Sequence, residues 1–464
     1  MTSTLDLWIV GIFFLIIFAI GVFERKKLTI DDYWVNSRKT KKLIIVATVA
    51  STYLGVGAII ANAGVAFSGG GLATFVLIAS FFIYFLIFSK FFAPKIKEFG
   101  DAHNAYTLPD FLEHRYSKRT RVAGLIVNLL TYGFWLSLQI LGIGIFVSSV
   151  SNINPNLATL IGGAIVVLYT TIGGLRADIR TDIFQFLVML VLIFIFMPII
   201  VAKSGGFEAI MQLPTAFLTG QEFAPWYVFL LSFLVIGASS IVTADLWQRA
   251  YAADSVKNVR SAFKIASIIV FLFLIMGTLM GLFGQVVVPD ATSNTVIPEL
   301  LKLYVPPFAF GLILAGFFAA IMSSADTVLL VMSMTLVHDL YQKTLNKSLA
   351  PEQVLRISRW TSFILGALAV VLAVTIFNVV HLAIDAVSFL VALLPAVIFG
   401  FYWRKATESA AFWSAIFGVL TVIAVLPFAP IYAFIPGIFV SFLVFFIVNK
   451  FARKPEQQFI QEHS

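Results

Sequence analysis

Apolar runs long enough to cross a bilayer recur from one end of this chain to the other and leave little room for anything else. A transmembrane helix needs roughly 17–25 predominantly apolar residues. Thirteen such runs can be drawn, at 7–23, 43–67, 72–93, 122–150, 155–172, 182–202, 226–247, 263–289, 306–336, 358–377, 379–402, 409–426 and 430–449. The divisions at 377/379 and 426/430 rest only on short turns, Asn-Val-Val-His and Pro-Phe-Ala-Pro. The 464 residues are 60% hydrophobic and 12% charged, with a mean hydropathy of +0.99. A soluble domain is about 45–50% apolar and about 25% charged. In hydrocarbon every backbone polar group must be satisfied within the chain, which favours helices. The expectation is an all-α integral membrane protein forming a single membrane domain over 1–464.

The basic residues test the count. With the N-terminus outside, the alternate loops hold all but three of the 31 Lys and Arg residues on the inside. Lys203 and Lys302 fall outside, and Lys90 lies at the inner end of a span. A miscounted helix would invert every later loop and destroy this asymmetry, so the positive-inside rule supports thirteen spans with the C-terminus cytoplasmic. The net charge of +8 is thereby a topology signal and not a nucleic-acid footprint. Residues 1–24 carry no Lys or Arg, so the first run reads as a retained helix of a cell (inner) membrane protein and not as a signal peptide.

Several chemistries are excluded. The chain has no cysteine, hence no disulfide or thiolate site, and its five histidines (103, 114, 338, 381 and 463) show no paired metal-ligand spacing. A membrane enzyme would need a cluster fit for acid/base or metal chemistry, and none is legible.

The polar residues inside the spans carry the functional signal. Within 316–330, Ser323, Ser324, Asp326 and Thr327 fall in five positions of an apolar run. At helical spacing Ser323 shares a face with Asp326 and Thr327. Such a cluster costs free energy unless something binds it, and hard oxygen ligands suit a cation such as sodium. The competing explanation is that the hydroxyls bond back to their own helix. Around Gly55 and Gly57, the sequence 50–58 reads either as an unwound turn whose carbonyls face a cavity or as close helix packing through small residues. Gln139 is uncharged and either faces the cavity or bonds across helices. Gly173 and Gly174 end one helix, and Asp182 and Gln185 open the next, where an Asp also has an ordinary capping role. The stretch 237–249 repeats the small-then-polar theme and ends in Asp245 and Arg249, which at i,i+4 could simply pair.

The two interrupted segments, 43–67 and 226–247, each open a block of five spans, 43–202 and 226–402. An odd number of spans inverts the second block relative to the first, and paired interruptions in such halves point to a binding site at the midplane. Residues 1–42 form a leading helix and cytoplasmic loop, 409–450 two peripheral helices and 455–464 a polar tail. Two short segments outside the spans also read as helical: 107–116, with capping residues, and 296–303, a possible lid. His381 and Asp385, one turn apart, are open to mutual pairing, proton binding or contact with the outer vestibule.

Gly173-Gly-Leu-Arg-Ala with Thr181-Asp-Ile-Phe-Gln185, Ala319-Ala-Ile-Met-Ser-Ser324, Gln248-Arg-Ala-Tyr-Ala-Ala253 and Ile297-Pro-Glu-Leu together resemble the sodium/solute symporter family over roughly 40–405. The resemblance implies a ten-helix 5+5 inverted-repeat core with discontinuous first and sixth core helices. It implies a sodium site on the carbonyls of Ser51, Leu54 and Ala320 with the hydroxyls of Ser323 and Ser324. A second cation site, present in some members, would fall on Asp182, Ser323, Asp326 and Thr327. Asp326 supplies a charged ligand where a hydroxyl is often found, which would strengthen a second sodium or admit a proton. Asp178, standing where relatives usually have Val, is expected in a local ion network with Arg176 and Arg180. The polar pair that sugar-transporting members carry is replaced by Ala58 and by Leu77 or Ile78. Tyr53, Gln139, Thr243 and Asp245 remain, with Ala58, as substrate-site positions. The expected function is sodium-coupled import of a small organic solute, an amino acid, amine or carboxylate in preference to a sugar. The expected partners are sodium and lipid, in a monomer or weak homo-oligomer. The rivals are a proton-coupled or uncoupled carrier of the same fold and a membrane solute sensor.

Overall fold

The computed structural model describes residues 4–23, 29–151, 153–171, 175–345 and 349–452. Among them it is all-helical and has no strand, only an isolated bridge between Thr40 and Ala253. Gly173 and Gly174 lie outside the described residues, as does the polar tail. Apart from short helices at Ile30–Val35, Gly206–Met211 and Thr215–Leu218, the helices are α1 (Thr4–Phe23), α2 (Lys42–Tyr53), α3 (57–70), α4 (74–103), α5 (Leu108–Arg115), α6 (Lys118–Ser151), α7 (Pro155–Thr170) and α8 (Leu175–Lys203). They continue with α9 (Trp226–Val242), α10 (Ala244–Ala252), α11 (Val256–Val287) and α12 (Val296–Tyr304). The last five are α13 (Pro307–Met334, extended as a π-helix to Thr344), α14 (Pro351–Thr375), α15 (Val379–Tyr402), α16 (Glu408–Val425) and α17 (Phe434–Phe451).

By length and composition eight helices among the described residues can cross a membrane, or nine if the bent pair α9–α10 is one span. The chain is therefore a multi-pass membrane protein. Three of the expected spans fall in shorter apolar helices, α1, α2 and α7. For α2 the cause is visible, because the chain breaks after Tyr53.

The central helix is α13. Its most apolar stretch is 94% buried, against 28–39% for those of α14, α16 and α17. It is thus enclosed by protein while those three present wide apolar faces outward, as lipid-facing helices do. The first broken segment packs against α11 through glycines. Gly277 and Gly281 of α11 lie where a Cβ would fall 2.6 Å from the Ala58 carbonyl and 2.2 Å from the Ala63 carbonyl. Close backbone approach through small residues is a standard packing device in membranes.

The polar loops knit one end together. Arg38 donates to the Ala105 carbonyl, Ser89 to the Arg260 carbonyl, Arg115 to the carbonyls of Gly400 and Trp403, and Ser117 to Glu408. Helix α5 forms as its capping residues predict: Thr107 accepts from the Asp110 amide, and Asp110 accepts from the Thr107 amide in return. At the other end α12 forms as expected, and Lys203 reaches the Tyr304 carbonyl.

Gly281→Val should force the α11–α3 contact apart. Overpacking of this kind costs about 1–3 kcal/mol. The expected outcome is a lower midpoint of thermal unfolding in detergent than for Gly133→Val, where a Cβ meets nothing within 4 Å.

Candidate functional site: a broken helix against α13

Helix α2 ends because the chain reaches Gly55 and Gly57, poor helix formers. Leu54 leaves helical geometry (φ −91°, ψ 12°), and its amide donates to the Ser51 carbonyl at 3.2 Å. The break exposes backbone groups that water cannot reach, and neighbouring helices supply their partners. Gln139 of α6 accepts from the Val56 amide at 3.0 Å. Ser324 of α13 donates to the Thr52 carbonyl at 2.5 Å and lies 3.2 Å from the Ala320 carbonyl. Gly55 is needed here, since a Cβ on it would lie 2.2 Å from Ser324 Oγ and 2.7 Å from Gln139 Oε1. The second break falls at Thr243, whose extended backbone (φ −76°, ψ 111°) joins α9 and α10 at a bend of 43°.

One turn along α2 toward the knit end is a charged network. Ser323 donates to Asp182 Oδ1 at 2.5 Å, and Thr48 donates to Asp182 Oδ2. The guanidinium of Arg249, reaching in from α10, is 1% exposed. It contacts Thr52 (2.6 Å), Thr327 (2.7 Å), Thr48 (3.1 Å), Asp182 (3.4 Å) and Asp178 (3.7 Å). Thr327 in turn donates to Asp178 Oδ2 at 3.2 Å. A buried charge is tolerable only when paired and hydrogen-bonded, and Arg249 meets both conditions.

The structure brings Ser51, Leu54, Ala320, Ser323 and Ser324 together around the first break, all buried. Ser51 Oγ bonds back to the Thr48 carbonyl at 3.1 Å. Asp182, Ser323 and Thr327 also meet, but with Arg249 among them. Asp326 accepts from Thr170 of α7 at 2.6 Å. Asp245 has no side-chain pairing with Arg249: Tyr132 donates to its Oδ1 at 2.6 Å, and Arg249 touches only the Asp245 carbonyl, at 3.5 Å. The i,i+4 spacing placed that pair on one helix without allowing for acids arriving from α8. Asp178 does join an ion network, though through Arg249. The Arg176 side chain lies outside the described residues. Thr48 and Thr52 went unread in the sequence, and Arg249 was read there only as an i,i+4 partner of Asp245; an Arg at the edge of an apolar run also calls for a buried acid from another helix.

A cavity of about 1150 Å³, counting its open mouth, runs from Phe223, Ala224 and Ile431 at the end away from the knit loops down to Tyr53 and Leu138. Tyr53, Ala58, Leu77 and Ile78 line it, whereas Gln139, Thr243 and Asp245 do not. Thr243 bonds back to the Ser239 carbonyl at 2.8 Å. Among the described residues, Tyr53 Oη, Gln139 Nε2 and Asp245 Oδ2 are buried polar atoms without a hydrogen-bond partner.

A many-spanning helical protein with interrupted helices meeting beneath an open cavity has the build of a secondary transporter. The sodium:solute symporter family profile matches residues 33–418. The chain is 28% identical to the sodium/pantothenate symporter of Escherichia coli strain K12, covering 96% of each chain. It is 25% identical to a sodium/proline symporter of Staphylococcus aureus strain JH9, covering 96% of this chain and 92% of that one. In fold it is similar to a sodium-coupled sialic acid symporter solved in a substrate-bound outward-open state, with a TM-score of 0.82 and 18% identity over 97% and 98% of the two chains. The chain belongs to the sodium:solute symporter family. It is a transporter and not an enzyme, and its family couples solute transport to sodium.

Two substitutions test this geometry. Arg249→Ala leaves Asp182 and Asp178 buried without their cation, a loss of about 3–5 kcal/mol, and should lower thermal stability far more than Arg404→Ala. Gly55→Ala should push Ser324 off the break and reduce sodium-dependent uptake at least tenfold with normal membrane expression, measured as initial rates in vesicles.

Proposed function

We propose that the chain imports a small organic solute together with sodium by alternating access, across a cell membrane that it spans thirteen times with its N-terminus outside. The reading takes 43–202 and 226–402 as the two inverted repeats, opened by the breaks at Leu54 and Thr243. The single observation that supports it most is Ser324 lodged between the Thr52 and Ala320 carbonyls at the first break. A hydroxyl rotates freely and can turn its lone pairs to a cation. The carbonyls of Ser51, Leu54 and Ala320 with the hydroxyls of Ser323 and Ser324 then offer the hard oxygen donors that sodium takes. Sodium favours the substrate-ready state only by binding it better than the alternative, and bridging a broken helix to α13 is a way to do so.

The second cation position, on Asp182, Ser323, Asp326 and Thr327, is weakened by Arg249, whose guanidinium already sits against two of these groups. A tethered positive charge there supports coupling through one sodium. A proton-coupled carrier is the nearest rival, favoured by the number of acids around Arg249.

For the substrate, the lining argues against a sugar. Of the 25 lining residues, only Tyr53, Asn62, Trp135 and Ser232 carry polar side-chain atoms. The Asn62 amide nitrogen is already committed to the Leu274 carbonyl and Thr278. A polyhydroxylated ligand would leave several hydroxyls unpaired, each at about 1–3 kcal/mol. A compact, largely apolar amino acid, amine or carboxylate fits better, with Tyr53 and Ala58 contacting it directly. Gln139, Thr243 and Asp245 would lie below the floor.

Uptake of the transported solute should fall to background when sodium is replaced by choline. Ser324→Ala should raise the sodium concentration for half-maximal uptake by well over twofold. Unchanged sodium dependence in that variant would count against the first site, and uptake that persists in choline would favour the rival.

A further inference from the structure

Away from the cavity, three buried side chains converge at the knit end: Asp110 on α5, and His338 and Asp339 on the π-helical end of α13. One ligand atom from each lies within 4.8 Å of the other two. His338 Nε2 stands 3.2 Å from both Asp110 oxygens. That matches the edge of a tetrahedron whose ligands lie 2.0–2.1 Å from zinc, about 3.3 Å. Asp110 Oδ2 already accepts from the amides of Tyr106 and Thr107, which leaves Oδ1 to face a cation. Asp339 is fully buried; its Oδ1 accepts from Thr107 Oγ1 at 3.0 Å, and its Oδ2 has no hydrogen-bond partner. A buried carboxylate oxygen left in that state carries a desolvation cost that a metal ligand bond would offset. On the far side of the ring, His338 Nδ1 faces Gln342 Oε1 at 3.3 Å. An outer-shell acceptor at one ring nitrogen is the usual way to direct the other toward a metal.

We propose that Asp110, His338 and Asp339 form a binding site for a divalent transition-metal ion, with Zn²⁺ the best match in ligand type and geometry. A neutral imidazole and two carboxylates balance a divalent charge. The competitor is the Lys343 ammonium, 2.5 Å from Asp110 Oδ1. Its side chain is 32% exposed and also reaches Glu113 Oε2 at 3.4 Å, so it has an acid to turn to when the metal arrives. Arg121 pairs with the same Glu113 oxygen at 2.5 Å. The Trp34 and Tyr106 rings stand edge-on to His338 at 5.1 and 5.3 Å and close the site. Because α5 lies in the connection between α4 and α6, a bound metal fastens that connection to α13 and would hold this end shut.

The test is a calorimetric titration of the purified full-length chain, free of affinity-tag histidines, with ZnCl₂ and with MgCl₂ as control. All proteins carry His103→Gln, since the His103 and His114 rings, 4.5 Å apart, offer a rival imidazole pair. One Zn²⁺ per chain is expected, with no Mg²⁺ binding. His338→Gln and Asp339→Asn should each weaken Zn²⁺ at least tenfold, and Lys343→Ala should tighten it at least threefold. The absence of saturable Zn²⁺ binding would overturn the site, as would affinities that His338→Gln and Lys343→Ala both leave unchanged. Should His338→Gln fail to fold, Lys343→Ala decides alone: tighter binding supports the site and unchanged binding refutes it. No transport is measured, so failure here is separable from failure of the sodium-coupled reading.

Discussion

An interrupted helix inside a bilayer must have its loose backbone groups satisfied by other parts of the protein, and the structure is arranged around that requirement. Each unpaired amide or carbonyl in hydrocarbon costs several kcal/mol. The break after Tyr53 is met by Gln139 from α6 and Ser324 from α13, so two helices distant in sequence are fixed against a third. The same demand explains why Gly55 has no side chain, since any Cβ would displace the groups that complete the break. A site assembled in this way is polar where it must be and nowhere else, which leaves the cavity above it free to be apolar.

The charged layer beneath follows a different rule. Asp182 is fully buried and Asp178 nearly so, in a region that cannot solvate them. Arg249 is placed by the break at Thr243, which starts a new helix and aims its far end at α8 and α13. A planar guanidinium with several donors can contact Thr48, Thr52, Thr327 and two carboxylates at once, which a lysine ammonium could not. The two interruptions are therefore linked electrostatically, the second carrying the cation that sits one turn from the first.

What could be read from the sequence was what depends on local chemistry. The hydroxyls of Ser323 and Ser324 in an apolar run called for a partner, the glycines at 55 and 57 left an unwound turn open beside close packing, and the Thr107–Asp110 cap announced a short helix. Pairings across the fold were not legible. Asp245 and Arg249 looked like partners because i,i+4 spacing is visible in one dimension, whereas Tyr132, Asp178 and Asp182 arrive from other helices. The histidines looked dispersed for the same reason: His338 lies more than two hundred positions from Asp110, and only the return of α13 to the α5 loop brings them together. Gln139 read as uncommitted because the amide that it satisfies is orphaned only once the break exists.

The two ends of the molecule are closed by different forces, and that difference bears on the proposed cycle. The knit end is held by Arg38, Arg115, Arg121 and Lys343 bonding to carbonyls and carboxylates, while the cavity at the other end is walled by apolar side chains. Hydrogen bonds that exchange for water on opening contribute only about 0.5–1.5 kcal/mol each, so a polar latch can release without a large net loss. Exposed apolar walls cost about 25 cal/mol per Å², so the cavity gains most by closing around a ligand of matching character. In the proposed cycle alternating access would then need no strong spring: a solute and a cation drawing the apolar walls together would supply the free energy, and the polar latch would yield because water can take its place.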